Sequence, residues 1–145
     1  MAQVSSLALG AALITSGTVT WAQSDDWDLL RGIAITETVT DTSYRVDKTF
    51  PAAIENGREG MVLTGYVVPI TPGTDVRELI LVSDMGFCPF CGDPNHGASV
   101  QVMLDTPISG LEEGTRITLR GDMTPVRDPQ TWNAAILENA VIVES

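Results

Sequence analysis

The chain has 145 residues, 19 acidic and 8 basic, with a net charge of −11, two cysteines and a single histidine. That length fits one domain, and the charge speaks against nucleic acid. Binders of phosphate backbones cluster Lys and Arg, whereas here the basic residues are scattered from Arg31 to Arg127 with one lysine, Lys48. Nucleophile elbow, phosphate loop, EF-hand and zincin motifs are all missing from the sequence.

The first charged residue is Asp25, after an apolar run from Leu7 to Ile14 and a polar stretch ending Thr20-Trp21-Ala22. Residues 1–22 therefore read as a signal peptide cut after Ala22, although the basic n-region is missing. Export to the periplasm follows, with no membrane span left after cleavage. Residues 23–60 form a lead-in expected to pack on the domain that follows, residues 61–145. Within the lead-in, Ser24-Asp25-Asp26 before Trp27, Leu29, Leu30 and Ile33 predicts one or two capped helical turns. The Thr- and Asp-rich stretch Val39 to Phe50 carries no regular element in this reading, and Phe50 with Ile54 predicts an isolated helical turn before Asn56-Gly57.

From Met61 the pattern becomes β-like: runs at Met61 to Ile70, Glu78 to Ser83, Ser99 to Leu104, Thr115 to Met123 and Ala134 to Val143. Val100, Val102 and Leu104 alternate with Gln101 and Met103, as Ile117 and Leu119 do with Thr118 and Arg120, which predicts one buried face each. The first two runs are apolar on both faces. Gly65 inside the first run suggests a bend. Five strands with a long insertion between the second and third predict a mostly β fold, a small five-stranded, partly closed barrel of OB type. A β-sandwich is the rival architecture.

That insertion holds Cys88-Pro89-Phe90-Cys91-Gly92-Asp93-Pro94-Asn95-His96, which gathers both cysteines and the histidine. Three chemistries compete for it: a metal site, a dithiol redox site or a local disulfide. Cys-Pro-Phe-Cys resembles the glutaredoxin tetrad, which needs its first thiol at a helix N-terminus. Pro94 and Gly92 oppose a helix there. For a metal, Cys-Pro-x-Cys-Gly resembles one knuckle of rubredoxin and zinc-ribbon proteins. Cys88, Cys91 and His96 then supply two thiolates and an imidazole, with Asp93, water or a partner as fourth donor, a set suited to zinc or to copper. A Cys88–Cys91 disulfide fits an oxidising compartment, but closes a very short loop and stabilises little. Asp84 and Asp105, flanking the loop at strand ends, read as turn residues.

The mature pattern resembles a domain-of-unknown-function family of small exported bacterial proteins. The resemblance is carried by Trp27-Asp28-Leu29-Leu30, Phe50 to Ile54, Gly65-Tyr66-Val67-Val68-Pro69-Ile70, the strand Glu78 to Val82 and the Gly86-Phe87-Cys88 turn. Members often carry Gly-x-Cys-x-His at that turn, so Cys88 matches while Cys91 and His96 depart from the pattern. The resemblance implies an envelope-side accessory protein, encountered beside ABC-type transport machinery and linked to metal supply, with no established catalysis. The expected partner is an envelope protein or transporter component, and the expected function is binding of a transition ion, zinc before copper. The competing expectations are a thiol-disulfide redox protein and a disulfide-stapled interaction module.

Overall fold

A computed structural model describes residues 26–70, 73, 75–86 and 98–144. The signal-peptide reading of residues 1–22 lies outside them. The described chain is mostly β: a short helix, a two-stranded hairpin and a closed five-stranded barrel.

Helix α1, Trp27–Arg31, follows the expected placement of apolar residues, and it buries Trp27 and Leu30. Its N-terminal aspartate is used differently from the expected cap. The Asp26 carboxylate makes no bond to the helix. It turns instead to the next element, accepting from the Val62 amide at 2.9 Å and pairing with Arg58 at 3.1 Å. The indole Nε1 of Trp27 donates to the Thr64 carbonyl at 2.8 Å. These contacts fasten the helix to the first barrel strand.

Two strands follow where no element was expected. β1 (Ala34–Val39) and β2 (Tyr44–Thr49) pair antiparallel from Ala34↔Thr49 to Val39↔Tyr44. Thr40 and Ser43 close the turn by backbone and hydroxyl bonds, Thr40 N donating to Ser43 O at 2.8 Å and Ser43 N to Thr40 Oγ1 at 3.0 Å. The Thr-rich composition that reads as polar is also β-branched, and β-branched residues fit a pleated strand. Only Val46 of this hairpin is fully buried. Phe50 and Ile54 then form the expected turn, with Ile54 N bonded to Pro51 O at 3.0 Å and both apolar side chains buried.

The barrel strands are β3 (Arg58–Pro69), β4 (Asp75–Val82), β5 (Ser99–Ser109), β6 (Arg116–Pro125) and β7 (Ala135–Glu144). Around the ring they run β3-β4-β5-β7-β6, and β6 returns to β3, so hydrogen bonding closes the barrel fully. β5 and β7 are parallel; the other neighbouring pairs are antiparallel. Met61, Leu63 and Val67, Leu79 and Leu81, Val100, Val102 and Leu104, Ile117, Leu119 and Met123, and Leu137 fill one core. The two-residue period of these side chains is what puts them on one face of each strand.

Register shifts in β3 and β7 are among the irregularities that shape the ring. Gly65 keeps register with Ile117, and the break in β3 lies instead between Arg58 and Met61, where Gly60 has φ of 64°. What Gly65 supplies is room: a Cβ there would stand 2.5 Å from the Val82 carbonyl and 3.2 Å from the Trp27 ring. In β7, Asn139 takes φ of 51°, and the register against β5 shifts between Val102 and Leu104. That bulge turns both Leu137 and Ala140 into the core despite their odd spacing. Thr118, expected to face outward, is also buried, its hydroxyl paired with that of Thr64 at 3.0 Å. Among the described residues no helix is long and apolar enough to cross a membrane.

Candidate functional site

The β4–β5 connection is where the thiol and imidazole chemistry sits. Cys88, Cys91, Asp93 and His96 lie outside the described residues, but the base that carries them is described. β4 and β5 stay in register to Val82↔Ser99. Beyond that pair Ser83 and Ala98 clasp each other: Ser83 N donates to Ala98 O at 2.9 Å, and Ala98 N to Ser83 Oγ at 2.8 Å. The segment that holds every cysteine and the histidine therefore starts and ends at one doubly bonded point on a rigid ring.

Asp84 acts as the expected turn residue, its Oδ1 accepting from the Gly86 amide at 2.9 Å. Asp105 does not flank the loop. It lies inside β5, exposed, where its carboxylate accepts from the Thr106 hydroxyl at 3.4 Å. β5 runs on to Ser109, past the expected end at Leu104, because its far end pairs with Asp75 and Val76 of β4. The exposed Met85 side chain leads into the loop and lies beside Gly114, 3.7 Å from where a Cβ would stand. Gly114 and Thr115 are in turn bonded to the Val67 backbone, so the loop base and the β5–β6 turn share one rim of the barrel.

A second feature emerges only on folding. The segment between β6 and β7 lies along the hairpin: Val46 N donates to Pro129 O at 2.8 Å, and Lys48 Nζ donates to the carbonyls of Asp128 at 2.9 Å and Asn133 at 2.7 Å. Between them is a cleft of about 390 Å³, with Arg45, Asp47, Lys48, Phe50, Arg127 and Pro129 among its walls. Arg127 stacks over the Phe50 ring, 5.0 Å from its centre, and donates to the Glu55 carbonyl. Arg45 pairs with Asp47 at 2.7 Å on the solvent side. Desolvation pulls the Lys48 ammonium below its usual pKa, and the Asp128 carboxylate opposes that shift.

Asn133 extends the contact inward. Its side-chain amide donates to Gln101 of β5 at 2.6 Å, and Gln101 donates to Glu78 of β4. At the outer end of the hairpin, Trp132 Nε1 donates to Glu37 at 3.4 Å and Gln130 to the Tyr44 carbonyl at 3.3 Å.

The basic cluster of this cleft escaped the reading of the sequence because Arg127 is far along the chain from Arg45 and Lys48. One signal was present: in Tyr44-Arg45-Val46-Asp47 apolar and charged residues alternate, the pattern of a half-buried strand. Nothing in the sequence placed Arg127 beside it.

Among the described residues, no three His, Cys, Asp or Glu side chains converge in a way that could hold a metal ion. No family model, curated protein or solved structure matches the chain.

Proposed function

We propose that this protein is an exported, OB-like barrel that binds a transition ion, zinc before copper, on the loop between β4 and β5. The ring order and the parallel β5–β7 pair support an OB-type topology. The observation that carries the function is the gathering of Cys88, Cys91 and His96 in a segment whose two ends are clasped at Ser83 and Ala98. Joining its ends in advance lowers the entropy cost of bringing three ligands onto one ion.

The donor set fits the ion. Two thiolates neutralise a divalent charge, the imidazole adds a neutral donor, and Asp93 or a donor from a partner completes four. With only three ligands from Cys88, Cys91 and His96, the fourth position is the weakly held one through which the ion exchanges, which suits an accessory protein that passes metal to an envelope protein or transporter component. Both thiols must lose their protons to bind, so acidification releases the ion.

Elemental analysis with free-thiol titration, on protein recovered from the periplasm without added metal, tests the reading. Near-stoichiometric zinc or copper is expected, with thiols exposed only after chelation. Cys88→Ser and His96→Ala should each weaken binding strongly. Absence of metal together with absence of free thiols would replace the site by a Cys88–Cys91 disulfide, and turnover of disulfide substrates would make the pair a redox centre.

A further inference from the structure

We infer that the cleft between β2 and the β6–β7 segment is a binding site for a small oxyanion, a phosphate or carboxylate group carried on a compact molecule. The site uses no residue of the cysteine and histidine loop and does not depend on what that loop binds.

Charge is the first argument. In a chain of net charge −11 with 8 basic residues, Arg45, Lys48 and Arg127 all line this one cleft, against a single lining carboxylate, Asp47. How the cations are held is the second. Arg31 and Arg58 are spent on carboxylates, Asp28 and Asp26. Lys48 and Arg127 donate their hydrogen bonds to neutral groups instead: two carbonyls hold the ammonium, with the Asp128 carboxylate acting on it through space, and a carbonyl and an aromatic face hold the guanidinium. Neutral acceptors fix a cation's position without cancelling its charge, which prepares it for an anion at little reorganisation cost.

Size and surroundings narrow the ligand. The cleft, at about 390 Å³, falls in the range of roughly 300–1,000 Å³ typical of small-molecule sites and exceeds one oxyanion group. Phe50 and Pro129 offer apolar wall for the remainder of the molecule. The acidic surface repels polyanions and anionic bilayers at range, whereas a small ion is screened within about 8–10 Å and responds to the local cations. A soluble oxyanion is therefore favoured over a lipid headgroup.

Asp47 gives the inference a directional test, since its carboxylate occupies Arg45 and competes with any incoming anion. The isotopically labelled full chain is titrated with inorganic phosphate at constant ionic strength and followed by amide NMR shifts. Saturable shifts confined to Arg45–Phe50 and Arg127 are expected. Arg127→Gln should weaken binding roughly tenfold and Asp47→Asn should tighten it a few-fold. Should Arg127→Gln lose the dispersed barrel spectrum, Arg45→Gln, at an exposed position, carries the same test. Shifts that chloride reproduces, or an Asp47→Asn variant that binds no tighter, overturn the site. Binding to phosphatidylglycerol vesicles without binding to free phosphate overturns the soluble ligand.

Discussion

The barrel and the hairpin are held by different physics. In the barrel, every strand contributes inward aliphatic side chains to one core, and each strand has hydrogen-bonded neighbours on both sides. The hairpin buries one side chain fully, Val46, and is joined to the rest largely by polar bonds from Val46 N, Lys48 Nζ and Gln130. Apolar burial contributes about 25 cal/mol per Å², while an exposed hydrogen bond contributes about 1 kcal/mol or less. The barrel is thus the stable frame, and the hairpin is the part that should open at the lower free-energy cost.

Substitutions can break this contrast or sharpen it. The largest effects belong to the ring. Leu119→Ala should cost about 3–4 kcal/mol by the lost burial and the cavity left behind, with all spectroscopic probes unfolding together in urea. Gly65→Ala should cost about 3 kcal/mol, because the new Cβ meets the Val82 carbonyl, a backbone atom that cannot swing aside.

Changes in the hairpin should be smaller and local. Val46→Ala should cost about 1.5 kcal/mol, and hydrogen exchange should speed up from Ala34 to Thr49 while the barrel amides keep their protection. Equal loss of protection in the barrel would make the two regions one cooperative unit. Lys48→Met should cost about 1 kcal/mol through two lost bonds, again confined to the hairpin.

The smallest effect is a titration. Partial desolvation, then the Glu37 carboxylate beside it, pushes the Tyr44 hydroxyl above its usual 10.0. The folded hairpin holds that proton more tightly than the unfolded chain does. Its contribution is therefore complete below pH 10.0 and is lost as the pH rises through the folded pKa. A tyrosinate absorbance titration of Glu37→Gln should show Tyr44 ionising at lower pH than in the parent.

The same contrast explains what could be read from the sequence. The five runs of Val, Ile and Leu matched the five barrel strands to within a few residues at most ends, since a buried face imposes a two-residue period directly on the chain. β5 was the exception, running on to Ser109 through the exposed Asp105, Thr106 and Pro107, which no apolar pattern marks. The hairpin was missed because threonine counts as polar in a hydropathy pattern while its branched side chain favours strands. Local spacing marks Ser24-Asp25-Asp26 as a helix cap, but the Asp26 carboxylate serves β3, a partner 36 residues away along the chain. For the cysteine and histidine loop, the residue types were legible and the clasp beneath them was not, because Ser83 and Ala98 meet only once β4 and β5 are paired. The cleft was invisible for the same reason.

β7 lies between β5 and β6, and so joins two strands that are otherwise unpaired on those sides. Until residues 135–144 are available the nascent sheet is an open arc with two bare edges, and its contacts then demand the closure of long loops. Folding of such a ring is slow compared with that of a helical bundle of the same size. A chain interrupted before Ala135 is thus expected to be sticky rather than merely less stable, its exposed edges offering backbone donors and acceptors to any other strand they encounter.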